Sequence, residues 1–258
     1  MGHSPGPHAH PTAAGSPPAE AVRAFLDRAA RRAPDDDRVW LGKAILAIRT
    51  GSYAEAAQWL DGCQRRRPKD VPVWRARLDW GRATNQVEAV RQAAEHLPGA
   101  GSSPALVQNL AAWLAARRGD VEAERRALER LIAAAPVEFA AWDRLIDLAV
   151  KAGQPECAAG LRRGKAEIER LQVRYQELDQ RNQPIRDAAE LARLAEQLGQ
   201  QFEARALLTV ALAADPHRDD LRGDLARLNH EAQALVRPGL SLAEMLAHEL
   251  DPAPAQPR

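Results

Sequence analysis

The chain has 258 residues, a formal net charge of +1, and a composition that is 45% hydrophobic but only 4% aromatic. A charge so near zero provides no global field to gather nucleic acid or an anionic membrane, and no stretch reaches the ~18 apolar residues of a membrane span. Ala, Leu, Arg, Glu and Gln dominate, and these strong helix formers make an all-α chain the expectation.

Residues 1–17 read as a Pro/His-rich leader without structure of its own. The leader has no apolar signal-peptide core, and Gly6 stands where a myristoylation signal after Gly2 needs Ser or Thr. With no address label, a cytoplasmic location is the default. His3, His8 and His10 could scavenge a metal weakly, but an unstructured tail is the plainer reading.

Helical sequence starts at Pro18, where "PAEAVRAFLDRAARRAP" supplies a lone helix up to Pro34. From there three residue types recur on a grid of 34. Gly51, Asn85, Gly119 and Gly153 occupy the first set of nodes, and Gly and Asn are the residues that tolerate a left-handed, helix-ending turn. Pro34, Pro68 and Pro136 form the second set, with Ser102 as the exception. Proline there stops the preceding helix. Trp40, Trp74 and Trp142 form the third set, with Gln108 at the missing node.

Each unit therefore reads helix, tight turn, helix, stop, which at this period is the pattern of a stacked solenoid. On these residues the chain resembles the tetratricopeptide repeat family. Repeat one carries the resemblance through Trp40, Ala44, Gly51, Tyr53, Ala56, Leu60 and Pro68, and repeat four through Trp142, Leu145, Ala149, Gly153 and Ala158. Repeat three is weaker. Repeat two departs most, because Leu78 and Val90 stand where the family prefers small residues and suggest a wider helix crossing. A later match runs through Leu191, Ala192, Gly199, Ala204, Leu208 and Pro216.

The resemblance implies an all-α, right-handed superhelical solenoid of helix–turn–helix repeats with one elongated helix interrupting the array. Residues 18–182 are expected to hold a half repeat and four repeats, the last helix being elongated. Residues 183–235 hold a further repeat and a capping helix, and residues 236–258 a tail with a short amphipathic helix and a Pro-rich end. The interruption is 12 residues beyond one period between Gly153 and Gly199, read as one continuous helix over residues 156–181. Gly160 and Gly164 weaken it. Leu161, Ile168 and Tyr175, with Leu171 and Leu178, give a heptad seam that either packs on the next repeat or pairs two copies as a homodimer. Ser241 and Glu244 form a capping box ahead of Leu242, Leu246 and Leu250. This short helix is either a terminal cap or a free docking motif.

No catalytic motif appears: there is no G-x-S-x-G elbow, no H-E-x-x-H, and "PGAGSSP" (Pro98–Pro104) lacks the lysine of a phosphate loop. The chain is expected to be non-enzymatic, with neither metal nor cofactor. Cys63 and Cys157 are read as buried free thiols, not a disulfide or zinc pair. The arginine groups at Arg31–Arg32 and Arg65–Arg66–Arg67 read as helix C-terminal charges complementing the dipole, not as a nucleic-acid face.

The family resemblance implies a scaffold that binds a protein or peptide segment in a concave groove. The groove stripe of the first helices is expected at Leu41 and Ile45, then Arg75, Asp79 and Arg82, then Asn109 and Trp113, then Asp143 and Asp147. The family's Lys/Asn carboxylate clamp is not expected, because Leu41 and Ile45 occupy its positions. The alternatives are a regulatory or substrate-holding region of a larger enzyme, and a structural oligomer built on the long helix.

Overall fold

The computed structural model describes residues 18–100, 102–234 and 239–250. The regular structure in these residues is thirteen helices and one isolated antiparallel bridge, Pro98 to Ser241. The leader, Gly101 and the Pro-rich end lie outside the described residues. Two compact units divide the chain at Ala93–Ala94. The first holds α1 (Ala19–Arg32), α2 (Asp37–Arg49), α3 (Tyr53–Arg66), α4 (Val71–Ala83) and most of α5 (Val87–His96). The second holds α6 (Pro104–Arg118), α7 (Val121–Ala134), α8 (Phe139–Lys151), α9 (Pro155–Gln180), α10 (Pro184–Gln197), α11 (Gln201–Ala214), α12 (Asp219–Ala234) and α13 (Leu242–Leu250).

Five turns repeat one backbone solution. Gly51, Asn85, Gly119, Gly153 and Gly199 have φ of +78°, +58°, +72°, +69° and +76°. After each, the next N–H reaches the carbonyl five residues back: Ser52 to Ala47 at 2.8 Å, Gln86 to Gly81 at 2.7 Å, Asp120 to Ala115 at 3.1 Å, Gln154 to Ala149 at 2.9 Å and Gln200 to Ala195 at 2.8 Å. This left-handed closure satisfies carbonyls that a helix end otherwise leaves unpaired. At Gly199 space adds a second restriction, because a Cβ there would lie 2.7 Å from Pro136 Cδ.

The prolines and tryptophans of the grid are partners. The indole N–H of Trp40, Trp74 and Trp142 donates to the carbonyl of Pro34, Pro68 and Pro136 at 2.8, 2.7 and 2.9 Å. At Pro216 the donor is Arg222, whose Nη2 lies 2.5 Å from the carbonyl oxygen. Trp74 is buried, whereas Trp40 and Trp142 are half-buried. Each of these two rings lies over a glycine of the following second helix. A Cβ on Gly62 would sit 3.4 Å from Trp40 Cε3, and one on Gly164 only 2.8 Å from Trp142 Cζ3.

Within each unit, neighbouring helices pair antiparallel through small residues. In the first, Ala44, Ala47, Ala56, Leu60, Ala76 and Trp80 form a buried cluster that Leu41 and Ile48 flank. Repeat two accommodates its larger residues locally. Val90 is fully buried against Gly81, where an added Cβ would stand 3.0 Å from Val90 Cγ2. In the second unit, Ala188, Ala192, Ala195, Ala204, Leu208 and Leu221 join α10, α11 and α12.

Helix α9 is continuous over 26 residues. Leu171, Tyr175 and Leu178 of its seam pack on Leu191 and Leu194 of α10. Helix α13 is not a free motif, since it packs on α6. Cys63 is buried, but Cys157 is exposed. That corrects the expectation of two buried thiols: Cys157 falls in the first turn of α9, where Ala158 is the residue turned inward.

Candidate functional site

In the first unit the expected groove stripe lies on α2 and α4. Leu41 is half-buried against the core cluster, and Ile45 is 43% exposed. The lone helix α1 covers a different face of α2: Leu26 fits over Gly42, and Asp27 pairs with Lys43 at 2.9 Å. On α4, Arg75 and Asp79 are exposed and Arg82 is half-buried. Asp79 has an open surface, yet the surrounding protein desolvates its carboxyl and raises its pKa, against the opposing pull of Arg82 and Arg75. The row Arg75–Asp79–Arg82 therefore alternates in sign along one helix face.

In the second unit Asn109 and Trp113 line a cleft of about 330 Å³ between α6, α7 and α8. Its floor is apolar, formed by Ala112, Leu128, Leu131 and Ala141. Arg117 lies over the Trp113 ring at 3.7 Å and its Nη1 donates to the Trp113 carbonyl at 3.2 Å. This cation–π contact fixes an aromatic plate at the rim. Opposite stands Arg144, whose Nε and Nη2 donate to the buried Glu124 carboxylate at 2.6 and 3.0 Å. That two-point hydrogen bond holds the guanidinium pKa above its ordinary value and orients it at the cleft wall.

Asp143 and Asp147 do not line this cleft. Asp143 accepts from Lys165 of α9 at 2.6 Å, and Asp147 accepts from Lys151 at 2.9 Å and Arg144 at 3.3 Å. The hydrogen bond from Lys151 is the main cause of the lowered Asp147 pKa. The residues that do face the cleft here are Ala140, Ala141 and Arg144 of α8 and Glu138 just ahead of it. Sequence reasoning missed Glu124 and Arg144. Their pairing spans 20 residues and two helices, a separation that leaves no periodic trace.

Among the described residues there is no group of three or more His, Cys, Asp or Glu able to hold a metal ion, and no helix is long and apolar enough to cross a membrane. What the cleft offers is an apolar floor, one aromatic plate and oriented guanidinium groups. It contains no nucleophile–base pair.

These features define an all-α repeat protein, and comparison with known proteins agrees. Residues 18–78, from the start of α1 into α4, match the tetratricopeptide repeat family. The five shared turns and the proline–tryptophan partners carry the same helix–turn–helix pattern beyond the matched residues. No curated protein matches it by sequence. Among solved structures, the Cut9–Hcn1 hetero-tetramer of APC/C includes a similar chain, 13% identical with a TM-score of 0.43, over 91% of this chain and 46% of that one. The present chain thus spans about half the length of that relative. PilW, a type IV pilus biogenesis factor, is 18% identical with a TM-score of 0.39, over 78% and 89% of the two chains. A thermophilic tetratricopeptide-repeat protein of Thermus thermophilus, TTC0263, is 16% identical with a TM-score of 0.25, over 82% and 91%. Likenesses at these levels concern the helical fold and say nothing of partners.

Proposed function

We propose that this chain is a non-enzymatic scaffold that binds a segment of another protein, with the α6–α8 cleft as one contact surface and the Arg75–Asp79–Arg82 face of α4 as another. The observation that carries this reading is Trp113: a large aromatic held by Arg117 beside an open cleft with an apolar floor. Aromatics and arginines oriented at a surface are the residues that dominate protein recognition. A segment with one apolar anchor and an adjacent carboxylate fits the cleft, the anchor on Leu128 and Leu131 and the carboxylate toward Arg144.

The test is a photo-crosslinking residue placed at Ala116, inside the cleft, compared with the same residue at Val173 on the exposed side of α9. Ala116 adducts should map to one protein segment, and Trp113→Ala should weaken that partner at least tenfold, about 1.4 kcal/mol, without lowering thermal stability. Adducts only from position 173, or unchanged affinity, would overturn the assignment.

A further inference from the structure

The turn before α6 is the one junction on the grid without a proline–tryptophan partnership, because Ser102 and Gln108 stand at its nodes. A different segment is bonded just ahead of them. Gly99 N donates to Leu240 O at 2.7 Å, and Leu242 N donates to Leu97 O at 2.9 Å, closing the bridge between Pro98 and Ser241. Helix α13 then runs on against α6. We propose that Leu97–Gly99 with the adjoining flank of α6 form a separable recognition site for an extended residue leading into a three-leucine helix, occupied here by residues 240–250 of the chain itself. This site is independent of the cleft at Trp113.

Three features suit it to that ligand. Gly99 is required by space: a Cβ would stand 2.6 Å from Leu240 O and 2.7 Å from Met245 Sδ, so any side chain there expels the segment. Leu242, Leu246 and Leu250 recur every fourth residue and are all buried, so one helix face supplies the apolar contact. Arg130 of α7 pairs with Glu249, which sets the far end of the helix. The ligand also carries its own start signal. Ser241 N donates to Glu244 Oε2 at 2.7 Å and Glu244 N donates to Ser241 Oγ at 3.2 Å, a capping box that nucleates the helix before it docks.

The experiment uses the full folded chain with a protease recognition sequence inserted after Ala234. After cleavage, the C-terminal fragment should co-elute with the body on gel filtration and exchange with a labelled peptide of residues 239–250. Gly99→Val and Leu246→Asp should release it. Glu249→Arg should raise the dissociation constant at least fivefold, and adding Arg130→Glu should recover it to within twofold. Both of these sites lie at the surface, so the charge exchange reads the contact even if a core variant fails to fold. Immediate loss of the fragment from the parent, or equal retention by the Gly99→Val chain, would overturn the proposal.

Discussion

The indole N–H of Trp74 lies 2.7 Å from the carbonyl oxygen of Pro68, six residues earlier. The proline ends one helix, and the tryptophan, at the start of the next, binds the carbonyl exposed at that stop. Two residues that look like separate punctuation in the sequence are one contact, and this explains why they recur together. Trp74→Phe keeps most of the ring but loses the donor, so it should cost about 0.5–1.5 kcal/mol. Trp142→Ala, which also empties the space over Gly164, should cost about 3–5 kcal/mol. Urea melts check both, and parent-like midpoints would refute the role given to these contacts.

Two glycines of α9 should respond to alanine with opposite sign. At Gly164 a Cβ would be 2.8 and 2.9 Å from the rigid Trp142 ring, so Gly164→Ala should destabilise by about 1–3 kcal/mol. At Gly160 only Arg163 Nη2 lies within reach, at 3.8 Å. There the gain in helix propensity should stabilise by about 0.5–1 kcal/mol. Thermal denaturation of the two variants against the parent reads the difference, and equal shifts would show that the ring does not rest on Gly164.

The cysteines should separate by reactivity. Burial pushes the Cys63 thiol up to about 11, with Asp37 and Asp70 adding to the effect, while Cys157 is exposed. A maleimide at pH 7.5 should modify one thiol in the native chain and two in denaturant, with mass spectrometry placing the first on Cys157. The linkage has a definite sign. Cys63 holds its proton longer in the folded state, so its contribution to stability is complete below pH ~9. That contribution is lost as the pH rises from there through about 11. The Cys63→Ala variant should therefore show a shallower fall in stability across that window.

The pairing of Glu124 with Arg144 should couple the α7 and α8 walls of the cleft. Because Arg144 is partly exposed, the coupling is modest, about 1 kcal/mol in a double-mutant cycle of Glu124→Ala and Arg144→Ala. Additive losses would mean the two side chains act separately.

How far the sequence reveals all this depends on how strongly each feature restricts residue type. A left-handed turn admits little beyond glycine and asparagine, so Gly51, Asn85, Gly119 and Gly153 were legible even where the letter changed. By helix propensity Gly164 is a weak point, and in the structure it is the seat of Trp142. The clue was available, since Gly62 stands at the same offset from Trp40 as Gly164 does from Trp142. Helical phase puts Asp143 and Asp147 on the groove stripe, but it carries no information on their ion pairs with Lys165 and Lys151. The failure of the grid at Ser102 and Gln108 had no local explanation. It falls just after the residues that bond to Leu240 and Leu242, well over a hundred residues downstream.

That distance has a consequence during synthesis. The turns and the proline–tryptophan contacts close within a few residues and can form as the chain leaves the ribosome. The strand-like contact of Gly99 with Leu240 cannot. At ~5–20 residues per second, the roughly 140 residues between them take on the order of ten seconds or more to emerge. Once α6 is complete at Arg118, its flank waits for α13 through the rest of that interval. Nascent chains stalled shortly before residue 240 should therefore be the ones that recruit holding chaperones, and a Leu246→Asp chain should go on recruiting them after release.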